Sequence, residues 1–402
     1  MWLVAWFAGL PGLPEPVLGH VTTMSAVNTA STSLINRVSK ISAELELGQS
    51  ENERQRSLSS ETVKLLQSVD AFRLFVPKEY QGPVATVIEK IEALALISES
   101  DAAAGWCATV ASQTSHMAGN LAADVARAVF GDPASIANGT FAPNGRALRE
   151  DGGYRLSGRW AWGSGSGFAH WISAGAMTDS GEFLQMIVPA SEVMIHDTWY
   201  SAGLAGTGSN DIEMVDVLVP DGRFVAFGRA KPLVSDTITR VPGFVLFAGG
   251  IAAVMVGIAR RAVREALILS AVRTPAQSSK PVAQSSVSQV DIARADSLVR
   301  SATAWFFNEI NDVVSTIERG DRASIEQRLR VRQASAFAAE QCTAAVDICF
   351  RLGGGTAVYQ SSPLQRCFRD IHTAAAHIMV APRMYETVGR SLLGLSIDTN
   401  SL

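Results

Sequence analysis

Cysteine is scarce in this chain: Cys107, Cys342, Cys349 and Cys367 are the only four among 402 residues. They form no Cys-x-x-Cys pair and no His-rich spacing, which argues against structural zinc and suits a reduced, cytoplasmic protein. Long basic runs are missing too. With a formal charge of −4, the chain lacks the electrostatic footprint of a nucleic-acid or anionic-membrane binder, and a small organic substrate is the better default. No stretch reaches about eighteen apolar residues without a break. The most apolar one, Phe244 to Ile258, contains three glycines; it reads as a buried helix too short to span a bilayer.

What is present is enough apolar surface, 47% of residues, for a large core, at a length that implies two or three packed subdomains. The first residues, Met1-Trp-Leu-Val-Ala-Trp-Phe, lack a basic flank and run into Pro11, Pro14 and Pro16. That pattern fits a signal peptide poorly. Met24 is the more natural beginning, a cleaved segment is the alternative, and 1–32 is expected to be a disordered extension.

Apolar residues Val63, Leu65, Leu66, Val69, Phe72 and Phe75 recur largely at three- and four-residue steps, so 33–134 is expected to be a helical domain. Within it, helices are predicted from Val84 to Ser98, from Ala102 to Gly119 and from Ala122 to Phe130. From 135 to 228 the pattern turns to period-two segments separated by Gly-Gly, Asp-Ser-Gly and Pro-Asp-Gly turns, which predicts a small β-barrel or sandwich. In 229–402, four amphipathic stretches predict an antiparallel four-helix bundle: Val245 to Val272, Gln289 to Arg319, Ile325 to Leu352 and Leu364 to Leu393. The fold class is α+β, mainly α.

The run Arg351-Leu-Gly-Gly-Gly-Thr-Ala-Val-Tyr-Gln-Ser-Ser-Pro-Leu-Gln-Arg366, continuing through Arg369-Asp370-Ile-His372 to His377, resembles the carboxy-terminal signature of the acyl-CoA dehydrogenase superfamily. Many dehydrogenases of that family carry a catalytic carboxylate about eight residues beyond the Arg-Asp pair; here Thr373 to Ala381 contains no acid. His377 stands instead where the flavin-dependent monooxygenase branch places a catalytic histidine. Three more blocks, Phe141-Ala-Pro-Asn-Gly145, Gly152 to Gly165 and Trp199 to Asn210, resemble the oxygenase components of two-component enzymes such as the p-hydroxyphenylacetate hydroxylases.

The resemblance implies an acyl-CoA dehydrogenase-like fold and an oxygenase that receives reduced FMN or FAD from a separate NAD(P)H flavin reductase. With O2, a flavin hydroperoxide would then oxygenate an aromatic or heteroaromatic ring. His377 and Ser164 are the implied catalytic residues. Phe141, Ala142, Trp162, Ser164 and Gly165 would form the flavin wall, although glycines and tryptophans there also read as turns and core, an even choice for Trp160 and Trp171. Thr207 and Ser209 would donate to a flavin phosphate, a tight strand connection being the alternative. Arg273, Gly354 and Gly355 would reach a cofactor across a homotetramer or dimer interface, and Arg366 and Arg369 would brace Asp370 or an adjoining subunit.

On a continuous helix His372 and His377 point about 140° apart, so one of them is expected to be structural. Trp106, Thr114, His116 and Phe168 are the expected substrate contacts. Thr114 stands where phenol hydroxylases place a histidine, and Ser166-Gly-Phe168 replaces a polar triplet, which favours an apolar ring such as an indole over a phenolate. Two other readings stay open: a dehydrogenase whose base is Glu309 or Glu340, and a non-catalytic flavin-binding homologue.

Overall fold

The computed structural model describes residues 33–226, 231–276, 278–399 and 402. The expected amino-terminal extension, and with it the reading of Met24 as the start, lies outside the described residues.

Helix α1 (Leu34–Gln55) begins where the Ser33 hydroxyl accepts the Asn36 N–H, and it buries Leu34, Val38, Ile41, Leu45, Gln49 and Asn52 on one face. That three- and four-residue spacing is an amphipathic helix laid on a core. After α2 (Ser60–Ser68) the chain makes two 3-10 turns around Pro77. Helix α3 (Val87–Ser100) opens with a reciprocal Thr86/Glu89 capping box. Helix α4 (Ala102–Ser115) is capped by Asp101, and α5 (Ala123–Phe130) completes the domain. The helix expected to reach Gly119 stops at Ser115, because His116 to Asn120 tighten into a 3-10 turn.

The alternating segments form an eight-stranded sheet: β1 (Ala137–Gly139), β2 (Gly145–Glu150), β3 (Gly153–Gly163), β4 (Trp171–Thr178), β5 (Phe183–Pro189), β6 (Met194–His196), β7 (Asn210–Pro220) and β8 (Phe224–Val225). Its order is β6-β7-β3-β2-β4-β5-β8, with β1 beside β4. Strand β3 runs unbroken for 11 residues, and its register against β7 shifts between Trp160 and Gly163. Trp160 belongs to the core: it is fully buried and its indole N–H is shared by the carbonyls of Ala142 (3.1 Å) and Gly175 (2.8 Å). Trp171 is half-buried under the Arg223 guanidinium.

After the short α6 (Thr237–Arg240), helix α7 (Gly243–Val272) runs through the protein and packs against α3, α4, α8 (Ser286–Glu318), α9 (Ile325–Gly353) and α10 (Pro363–Ala375). With 30 residues, α7 is long and apolar enough to cross a membrane, which corrects the reading that the stretch is too short; 83% of its apolar window is buried inside the fold. Its glycines allow close crossings. A Cβ on Gly257 would lie 2.2 Å from the Ala95 carbonyl oxygen, and one on Gly250 would lie 2.7 Å from the Thr109 methyl.

The fourth stretch is not one helix. Helix α10 ends at Ala375, a 3-10 turn spans Ile378–Val380, and α11 (Met384–Leu392) starts afresh. Pro382 explains the break: it has no N–H for an intrahelical bond and holds Ala381 in the extended region, with ψ 142°. All four cysteines are buried thiols, and burial pushes Cys342, Cys349 and Cys367 up to about 12.

Candidate active site

Three elements converge beside the middle of the fold. Asp101 accepts from the N–H groups of Ala103 (2.9 Å) and Ala104 (3.2 Å), fixing the start of α4 and so the place of Trp106 one turn later. The end of β3 brings Ser164, 4% exposed, against that indole, whose N–H donates to the Ser164 hydroxyl at 3.1 Å. From the loop entering β7 come Ser209, 2.7 Å from Ser164, and Thr207, 2.6 Å from Ser209. The Thr207 hydroxyl donates in turn to the Leu204 carbonyl at 2.8 Å.

The third element is the break after α10. His377 caps the 3-10 turn with φ −73° and ψ 133°, and its ring stands edge-on to Trp106 with centroids 5.5 Å apart and planes at 76°. The helical argument that set His372 and His377 about 140° apart therefore does not apply, because His377 has left the helix. His372 stays on α10, exposed, with Nε2 2.9 Å from Asp347. His377 Nδ1 accepts the Met379 N–H at 3.2 Å, so in the neutral ring the proton sits on Nε2. Burial pushes this imidazole down to about 4, helped by the positive charge of Arg332. It is thus a neutral N–H donor at pH 7, not a group titrating near neutrality.

Trp162 sits on the rim, 71% exposed with a left-handed φ of 65°. An indole held outward at a strained backbone position, costing about 1–3 kcal/mol, is a feature found at ligand clamps. Phe141 is half-buried and takes edge contacts from Phe183 (5.1 Å), Phe247 (5.2 Å) and Phe244 (5.7 Å). These three partners were missed from sequence, although the i, i+3 spacing of Phe244 and Phe247 was there to read. Ala142 lends its carbonyl to Trp160. Gly165 has φ 70° and no room for a side chain: a Cβ would lie 2.3 Å from Asn138 Nδ2.

Several expected ligand contacts have other partners. The hydroxyls of Thr207 and Ser209 are buried and engaged with each other, with Ser164 and with Leu204, which favours the tight-connection reading over a phosphate site. Phe168 packs on Phe72 of the helical domain, ring centroids 5.6 Å apart. His116 is buried with Nε2 3.2 Å from the Ile238 carbonyl, and burial pushes it down to about 4; it ties the helical domain to the approach of α7. Thr114 is half-buried near the end of α4.

Arg366 and Arg369 make their direct ion pairs elsewhere than with Asp370, although the Arg369 charge acts on that carboxyl. They share Glu53 of α1, at 2.9 and 2.6 Å, and Arg366 also donates to Gln49 and Ser50. Asp370 instead accepts the Leu204 N–H at 2.6 Å, and burial pushes its carboxyl up to about 7. Arg273 and Gly354 lie together, since Arg273 donates to the Leu352 carbonyl at 2.9 Å and its guanidinium fills the place of a Gly354 Cβ; Gly355 has open space there. The carboxylates of the dehydrogenase reading are occupied: Glu309 accepts from the Trp305 indole at 2.9 Å and Glu340 from the Tyr385 hydroxyl at 3.0 Å.

These side chains have the chemistry that a planar, redox-active ring system calls for. The outward Trp162 offers it a flat apolar face, Ser164 a buried hydroxyl and His377 a neutral N–H, with no carboxylate in the segment that carries the histidine. The family model described as acyl-CoA dehydrogenase, C-terminal domain, matches residues 249–382. The chain is 28% identical to an indole-3-acetate monooxygenase of Pseudomonas putida over 86% of its length and 89% of that protein's. It is 27% identical to the flavin-dependent monooxygenase oxygenase subunit HsaA of Rhodococcus jostii, covering 86% of this chain and 94% of that one. Among solved structures, XiaF from Streptomyces sp. in complex with FADH2 and glycerol superposes with a TM-score of 0.85 at 26% identity, over 90% of this chain and 95% of that one. Helical domain, sheet, helix bundle and a histidine in place of an acid accord with these likenesses: over most of its length the chain is similar to oxygenase subunits of flavin-dependent monooxygenases, and its fold is acyl-CoA dehydrogenase-like.

Proposed function

We propose that this chain is the oxygenase component of a two-component flavin-dependent monooxygenase, which takes reduced FMN or FAD from a separate NAD(P)H flavin reductase and inserts one oxygen atom of O2 into an aromatic or heteroaromatic small molecule. The observation that carries the reading is the neutral His377 imidazole, edge-on to a tryptophan whose N–H is bound to Ser164. A bound reduced flavin supplies the electron pair that activates dioxygen.

The chain's own residues have four tasks. Trp162 and Phe141 provide apolar surface for the ring system, and Ser164 positions its polar edge. His377, with its proton on Nε2, donates a hydrogen bond to developing negative charge without carrying a positive charge itself. Trp106 closes the pocket and keeps water from the reacting atoms. Among the sequence-derived substrate contacts, Trp106 is the one in ring contact with His377, and an apolar wall there suits an indole-like ring. The relatives' names, an indole-3-acetate monooxygenase among them, support that substrate class.

The same reading includes assembly as a homotetramer, or at least a dimer, in which the Arg273–Gly354 end of the bundle serves the flavin of a neighbouring subunit. Buried free thiols suit a reducing cytoplasm. The test is anaerobic loading with reduced flavin, rapid mixing with air and an indole or phenol panel, and comparison of wild type with His377→Ala. The reading predicts oxygenated product from wild type and loss of it in the variant; bleaching of oxidised flavin by an acyl-CoA would overturn it.

A further inference from the structure

The hydroxyl chain beside Trp106 has only one self-consistent direction. The Leu204 carbonyl can only accept, so the Thr207 hydrogen is spent on it. Thr207 must then accept from Ser209, and Ser209, having given its hydrogen to Thr207, must accept from Ser164. The Trp106 indole N–H can only donate, and it takes one lone pair of Ser164. A serine hydroxyl has one hydrogen and two lone pairs. Ser164 is therefore left with a single lone pair, and any ligand group that meets it has to be a donor. The arrangement is rigid: Ser164, Thr207 and Ser209 are all at most 4% exposed, and the far end of the chain is anchored where Asp370 holds the Leu204 N–H.

We infer that Thr207 and Ser209 are positioning residues which, by holding Ser164 as an obligate hydrogen-bond acceptor, select the reduced form of the flavin over the oxidised form. This rests on the flavin reading proposed above. Two-electron reduction of an isoalloxazine puts a hydrogen on a central-ring nitrogen that is bare in the oxidised ring. The bare nitrogen and the Ser164 lone pair are both acceptors and repel; the N–H and the lone pair make a bond. Selectivity of this kind suits a protein whose cofactor arrives already reduced and leaves oxidised.

The test is the pair of dissociation constants for oxidised FMN and FAD and for the same flavins reduced anaerobically, measured on the full-length wild type, Ser209→Ala, Ser209→Thr and the near-isosteric Thr207→Val. Removing the Ser209 or Thr207 hydroxyl frees the Ser164 hydrogen to turn towards the ligand. Ser209→Ala and Thr207→Val are expected to bind oxidised flavin more tightly than wild type does, lowering the reduced-over-oxidised preference on the order of tenfold, the size of one hydrogen bond gained or lost. Ser209→Thr is expected to keep the wild-type preference. A gain in affinity is a result that damage to the fold does not produce. An unchanged preference in both hydroxyl-free variants, or equal weakening of both forms, overturns the inference while leaving the flavin reading intact. A wild type that binds neither form overturns the flavin reading itself.

Discussion

His116 and His377 are alike by the measure usually applied to histidines: burial pushes each down to about 4. What separates them is the surroundings of the ring nitrogens. Nε2 of His116 faces the Ile238 carbonyl, where α4 gives way to a 3-10 turn, and the ring is 7% exposed. His377 gives Nδ1 to its own turn, and its half-buried ring stands edge-on to Trp106, whose indole N–H is bound to Ser164. Desolvation alone does not mark a catalytic group.

The largest expected difference between them is kinetic. His377→Ala should lower product formation about a hundredfold or more, the usual range for a lost proton donor, with little change in thermal midpoint. His116→Ala should do the reverse, costing about 1–3 kcal/mol of stability by leaving the Ile238 carbonyl without its partner, with activity per folded molecule retained. Steady-state product assays beside thermal unfolding decide it; equal activity losses in the two variants would dissolve the comparison.

Next in size is the response to pH, where the histidines and Asp370 oppose one another. A histidine that binds its proton near 6.5 when unfolded and near 4 when folded leaves the unfolded chain holding more protons between those values, so stability falls as pH drops from 6.5 to 4. Asp370, near 3.8 unfolded and about 7 folded, makes the folded chain hold the extra proton, so its contribution falls as pH rises over nearly the same window. Asp370→Asn should therefore steepen the acid-side loss of stability, and His116→Gln should flatten it, each read from denaturant midpoints at pH 4 to 7.

How much of this was written in the sequence follows from the range of the interactions. The helices were legible because apolar residues recur along a single segment, as Leu34, Val38, Ile41 and Leu45 do, with Ser33 capping them. Ser164 and His377, the residues expected to be catalytic, came through the family resemblance, and the fold brings both against Trp106. The break that takes His377 off its helix was missed, although Pro382 marks it. Contacts set by packing between distant segments left no periodic trace: Arg366 and Arg369 meet Glu53 more than 300 residues earlier, Asp370 reaches Leu204, and Arg332 on α9 lends its charge to His377. Thr207 and Ser209 were noticed for their hydroxyls, but the Ser164 hydroxyl that they orient lies 45 residues from Ser209.

The smallest effect serves as the control for the others. His372 shares α10 with the residues that lead to His377, yet its ring is exposed, bound to Asp347 at 2.9 Å and leaning on Phe368 with centroids 4.6 Å apart. An exposed pair of this kind contributes about 0–1 kcal/mol, and less as salt rises. His372→Ala is expected to leave product formation unchanged and to move the unfolding midpoint by no more than that contribution. If it instead lowered turnover as His377→Ala does, proximity in sequence would matter more than the turn at Ala376, and the distinction drawn from the geometry of the two nitrogens of His377 would lose its basis.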